Sequence, residues 1–120
     1  MTVVNLINVA TITPVMAAGA VTTSRAAIVD VAADKVAKIN SLIIANIDGA
    51  NAADITVEVS IDDGSSYVAI AKTISVPADA TLVVVGKDNG FYLDETDLLA
   101  VTASAASDLT YLVSYELMTD

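Results

Sequence analysis

Ile55-Thr56-Val57-Glu58-Val59-Ser60-Ile61, followed by Asp62-Asp63-Gly64-Ser65-Ser66, is the stretch that decides the fold class. Four apolar residues alternate with three polar ones. In an extended backbone successive side chains point to opposite faces, so this segment has one dry face and one wet one. That is the pattern of a half-buried strand. Asp, Gly and Ser then supply the local hydrogen bonds and backbone freedom of a tight turn.

The same grammar extends downstream. Residues 67–76 alternate through Val68, Ile70, Lys72 and Ile74, and stop at Pro77, which lacks the donor that a ladder requires. Residues 81–85 form a short apolar strand closed by Gly86-Lys87-Asp88-Asn89-Gly90. Phe91-Tyr92-Leu93 is brief, and Asp94-Glu95-Thr96-Asp97 turns the chain into a strand over 98–105. Ser107-Asp108 turns it again into 109–118.

Upstream the signal is weaker. Residues 40–47 read as a buried strand ended by Asp48-Gly49, and 25–31 as a strand centred on Ile28 and Val29. Residues 3–13 look extended and stop before Pro14. Residues 16–24 are small, uncharged and without clear period, as in a loop or an arm ordered by a neighbour. Residues 32–38 suggest a helical turn too short for a stable helix. The expectation is an all-β chain of about seven or eight strands, an antiparallel β-sandwich or jelly-roll-like barrel. It divides into an extended N-terminal arm with the first strand, 1–24, and a sandwich domain, 25–120.

Composition bounds the function. The chain has 120 residues, 55% of them apolar but only 4% aromatic, with 5 basic and 15 acidic residues giving a net charge of −10. Phosphate-neutralising binding needs clustered cations, so a nucleic-acid partner is not expected. There is no Cys and no His, which excludes disulfides, thiolate and imidazole metal sites and the Ser–His–Asp device. Residues 1–20 end in small side chains, but the first cation is Arg25, and Asn5, Asn8 and Thr11 interrupt the apolar run. They are not read as a secretory signal. No run reaches the ~18 apolar residues of a membrane helix, so no membrane partner is expected. The apolar excess lies in Ala and Val, which are poor core filler but permit close, flat contact between subunits. A homo-oligomer is expected.

Two acidic clusters are the only candidate ligand sets. Asp62 and Asp63, and Asp94 and Asp97, could offer carboxylate oxygens to Ca²⁺. Turn chemistry is the preferred reading, so they stand as weak metal candidates and no cofactor is expected. Paired carboxylates also serve glycoside hydrolysis, but one Phe, four Tyr and no Trp give little to stack a sugar on. No catalytic residue is assigned and the chain is not expected to be an enzyme. Tyr111 and Tyr115 share a strand face with Leu109 and Val113, while Leu112 lies on the other. Packing is preferred over a sugar-contacting stripe.

Five segments carry a family resemblance: Ile39-Asn40-Ser41-Leu42-Ile43-Ile44-Ala45-Asn46; Ile55 through Asp62-Asp63-Gly64; Ile74-Ser75-Val76-Pro77-Ala78-Asp79-Ala80-Thr81-Leu82; Tyr92-Leu93-Asp94-Glu95-Thr96-Asp97 through Ser104; and Val113-Ser114-Tyr115-Glu116. Over residues 39–118 the chain resembles small β-sandwich virion proteins of tailed bacteriophages, especially those infecting cyanobacteria and other aquatic bacteria. That family often has Gly where Thr96 stands here, so the corner is expected to differ in type. The resemblance implies a structural protein of the virion, such as a capsid decoration (cement) protein. It would be a homotrimer on the outer capsid surface, bridging the major capsid protein. A neck, tail or baseplate component is the alternative, and a carbohydrate- or calcium-binding attachment module a further one.

Overall fold

A computed structural model describes residues 9–119. Its strands pair as nested hairpins. β1 (Thr11–Ala20) pairs with β9 (Leu109–Thr119), and β2 (Ala26–Asp30) with β8 (Leu98–Ala103). β3 (Lys35–Asn46) pairs with both β6 (Thr81–Val85) and β7 (Phe91–Leu93), and β4 (Ala53–Ser60) with β5 (Val68–Val76). The chain is therefore one long antiparallel ribbon, rolled so that alternate pairs fall in two sheets. The large sheet runs β1-β9-β3-β6 with β7 also on β3; the small sheet runs β2-β8-β4-β5. All pairings are antiparallel, and the rolled ribbon in two sheets is a jelly-roll β-sandwich.

The sheets face each other across a core of Ile39, Leu42, Ile44, Leu109 and Val113 from the large sheet and Ile55, Val57, Leu99 and Val101 from the small one. Each is at most 1% exposed. The expected sandwich is present, with nine strands among the described residues. The edge beside β3 is broken by the loop 86–90 into β6 and β7, the two short strands read from the sequence. Gly90 sits where the chain passes close to β3: a Cβ there would lie 2.8 Å from the Ile39 carbonyl oxygen.

Three local expectations change. The helical turn over 32–38 is absent; Asp34 takes a left-handed conformation (φ 64°) and β3 starts at Lys35. A bulge between Ile39 and Ser41 resets the alternation of β3, which hid its first half in the sequence. Pro14 does not stop a strand but lies within β1, opposite Glu116. Val21 N donates to Leu109 O at 2.9 Å, so the two-residue period turns the odd residues of β1 toward β9 and the nitrogen of Pro14 outward. Of the stretch 1–24, Thr11–Ala20 is thus an edge strand; residues 1–8 lie outside the described residues.

Candidate functional site

Several carboxylates of this acidic chain, Asp48, Asp62, Asp94, Glu95 and Asp97, accept hydrogen bonds in the turns and corners at the strand ends. At one end the β2–β3 and β7–β8 corners lie side by side. Thr96 N donates to Val31 O at 2.8 Å, Val31 N to Asp97 O at 3.1 Å, and Asp34 N to Glu95 Oε2 at 2.7 Å. Asp97 Oδ2 accepts from Asp94 N at 2.8 Å, and Asp94 Oδ1 from Glu95 N at 2.8 Å. Glu95 and Asp97 are 4% and 6% exposed. Burial pushes the Asp97 carboxyl above the ordinary aspartate value. Glu95 Oε1 has no hydrogen-bond partner among the described residues. Thr96 takes φ 65°, the left-handed conformation that glycine adopts freely, so the corner has the backbone shape a Gly would suit.

Asp62 fastens the β4–β5 turn at the same end. Its carboxylate accepts from Ser60 Oγ at 2.9 Å, Ser66 N at 2.9 Å and Ser66 Oγ at 2.5 Å. The bonds from Ser66, then Ser60, hold Asp62 below the usual aspartate value. Asp63 (φ 57°) and Gly64 (φ 87°) complete the turn in left-handed conformations. The register places Asp30, Ser60 and Leu98 in one row of the small sheet, so the sequence candidates Asp62, Asp63, Asp94 and Asp97 share an end. The oxygens of Asp62, Asp94 and Asp97 nonetheless accept from local donors. Among the described residues no group of three or more acidic side chains is placed to hold a metal ion.

At the other end Asn46, 3% exposed, does the equivalent work. Its Nδ2 donates to Asn51 O and Val76 O, each at 2.9 Å, and its Oδ1 accepts from Asp48 N at 2.9 Å. One amide thereby ties the β3–β4 crossing to the end of β5. Neither Asn46 nor Glu95 was identifiable from the sequence as a buried latch, because each is a polar residue beside a turn.

The outer faces of the two sheets differ. The small sheet is polar outside. Arg25 forms a bidentate pair with Glu58 (2.9 and 3.1 Å) and lies 4.0 Å over the Tyr67 ring. Sequence reading assigned nothing to Tyr67; only folding brings 25, 58 and 67 together. The large sheet is apolar on part of its outside, beyond rows that carry Ser41 and Ser114, then Lys38 and Glu116. Its register aligns Ala18, Leu112, Ile43 and Val83 across four strands, flanked by Met16 and by the row Ala20, Thr110, Ala45, Thr81. Met16 is 68% exposed, Val83 58% and Leu112 36%. A shallow hollow of about 530 Å³ opens among Ala18, Ile43, Ala45 and Leu112. Tyr111 and Tyr115 lie on the opposite, inner face and pack against the core, as the packing reading expected.

A second apolar hollow, about 330 Å³, lies at the open side of the sandwich. Val59, Ile61, Val68, Ile70 and Phe91 line it. Ile61, expected on the dry face of its strand, is 76% exposed because Ser60 is the last residue of β4 and takes the buried position at its end.

No family model matches the chain, and no curated protein matches it. Solved structures do. A protein of the Bacillus endospore appendages, described as a novel family of disulfide-linked pili, superposes with a TM-score of 0.53 at 15% identity, covering 91% of this chain and 87% of that one. The fold is thereby shared, although the present sequence contains no cysteine. Two structures of a pentameric capsid protein isolated from metagenomic phage sequences match at a TM-score of 0.40 and 18% identity. They cover 96% of this chain and 62% and 67% of theirs.

Proposed function

We propose that this chain is a non-enzymatic structural protein of a tailed-phage virion, a capsid decoration (cement) protein that stabilises the outer shell. The carrying observation is the apolar row Ala18, Leu112, Ile43 and Val83, with Met16 beside it, on the outer face of the large sheet. Such a molecule is built to be held by neighbours. The sequence resemblance over residues 39–118 supplies the virion context.

In this reading the mechanism is mechanical. A homo-oligomer, a trimer, bridges adjacent copies of the major capsid protein. The contact adds buried area where internal DNA pressure strains the shell. The −10 charge keeps free subunits apart and soluble and disfavours the wall that faces packaged DNA.

Copy number per purified virion, quantified against the major coat protein, tests the proposal. Hundreds of copies are expected. A few to a few dozen would move the protein to the neck, tail or baseplate, and absence from the particle would overturn the virion reading.

A further inference from the structure

We propose that two copies of this chain associate face to face through the outer face of the large sheet, each covering the apolar row of the other. A face packed on its own copy closes as a two-fold pair, so this rests on the homo-oligomer of the reading above and not on its trimer or on the virion.

A β-sandwich can assemble by extending a sheet at its edge or by stacking sheets on their faces. Here the edges are obstructed. β1 carries Pro14 with its nitrogen turned outward. β5 is bent by two register shifts against β4, holds Thr73 at φ 46°, and presents Lys72. β2 has five residues and a register shift of its own, and the β6/β7 edge is broken by the loop 86–90. Prolines, bulges, lysines and short strands are the devices that stop edge pairing. Strand addition is therefore disfavoured on all four edges.

The large-sheet face has the opposite character. Ala18, Leu112, Ile43 and Val83 form a continuous row, with Met16 and Ala45 beside it. Small and medium apolar side chains suit two sheets packed face to face about 10 Å apart. Four strands at about 4.8 Å spacing and about ten residues of 3.3 Å rise give a whole outer face of roughly 20 by 35 Å, about 700 Å², with the apolar row inside it and the Ser41–Ser114 and Lys38–Glu116 rows as its polar side. A standard interface takes about 800 Å² from each partner.

Charge selects the occupant. Among the described residues Glu116 is the only acidic one on a strand of the large sheet, together with Lys35 and Lys38. That sheet carries a net +1 (two cations less one anion) in a molecule of −10. A cationic partner would be drawn to the carboxylate-rich ends instead. Two copies can approach without strong repulsion where the carboxylates are absent, and this face combines that condition with apolar area. A second copy of this chain meets both requirements.

Sedimentation velocity on the wild type, Leu112→Lys and Val83→Lys tests the contact, with Ile70→Lys on β5 as the comparison surface. The wild type is expected to be oligomeric at tens of micromolar. Each lysine on the large-sheet face should weaken association at least about tenfold, with unchanged far-ultraviolet circular dichroism, and Ile70→Lys should not. Added salt should strengthen association by screening the −10 charge. Val83 is 58% exposed, so its variant keeps the test valid if Leu112→Lys misfolds. A monomeric wild type, an oligomer indifferent to both face variants, or one dissociated by Ile70→Lys or by salt would each overturn the proposal. None of these results bears on virion copy number, so the two readings fail separately.

Discussion

The large and small sheets share one core but turn different surfaces outward. On the small sheet, Thr56, Glu58 and Thr102 alternate with Ile55, Val57 and Val101, and the outside carries the Arg25–Glu58 pair beside Tyr67. On the large sheet, Ile43, Ala45 and Leu112 alternate with Leu42, Ile44 and Val113, so both sides are apolar. One face is finished by solvent; the other is apolar enough to be finished by protein. The difference teaches that alternation in a sequence reports the polarity contrast across a sheet, and that contrast is weak where an outer face is apolar.

The sharpest way to break this comparison is to truncate neighbours on β3 that point to opposite sides. Ile44→Ala empties a fully buried site and should cost about 2–5 kcal/mol in urea unfolding. Ile43→Ala, one residue earlier on the outer face, should cost about 1 kcal/mol or less in dilute, unassociated protein. Equal losses would mean that Ile43 belongs to a core, and the two faces of the large sheet would no longer be distinct.

The seam between the sheets comes next. Glu95→Ala removes the acceptor of the part-buried bond from Asp34 N–H, which joins the two crossing corners at 2.7 Å. A loss of about 1–3 kcal/mol is expected, and Glu95→Gln, which keeps an acceptor, should lose less. Hydrogen exchange at Asp34 should accelerate in the alanine variant. An unaffected exchange rate would mean that the corner is held by its backbone bonds alone.

On the small sheet's outside, Arg25→Ala and Glu58→Ala should each lower the melting temperature slightly, less than either change above, and their effects should not add. The guanidinium is accessible to solvent, so the coupling should shrink as salt is raised. A salt-independent coupling would instead identify a desolvated pair.

The smallest effects are those of pH, and they carry opposite signs. Asp62 titrates below the ordinary value of 3.8, because Ser66 and Ser60 stabilise its ionised form. Its contribution is present above 3.8 and is lost as pH falls through its native value. Asp97 titrates above 3.8, because burial disfavours its charge. Between 3.8 and its native value the folded protein binds more protons than the unfolded chain, so stability falls as pH rises, and the penalty persists at neutrality. Melting curves across pH should therefore show Asp62→Asn less stable than wild type at neutral pH. Asp97→Asn should be more stable there, since the amide oxygen still accepts from Asp94 N.

The legibility of the chain follows the same division. β4 was clear because Thr56 and Glu58 mark its wet side. β6 and β7 were bounded correctly by Pro77 and by the Gly86–Gly90 loop. β1 was obscure because Met16, Ala18 and Ala20 outside are as apolar as Val15 and Ala17 inside, leaving no contrast to read. β3 lost its first half to the bulge between Ile39 and Ser41. The acidic candidates were visible as turn residues, and three of them, Asp62, Asp94 and Asp97, are bound to turn amides or hydroxyls. Their third neighbour, Glu95, was invisible as a latch because its partner amide lies 61 residues away.

By itself the sequence determined the class: turn residues every few positions, β-branched alternation and the lack of Cys and His are local facts that need no partner to be read. Tertiary structure alone decided the nesting of first strand with last, the placement of Arg25 over Tyr67, the burial of Asn46 and Glu95, and the solvent-facing side of each sheet. Those depend on contacts between residues far apart in the chain. A strand's alternation specifies that it has two sides, but only the element it packs against determines which side is the inside.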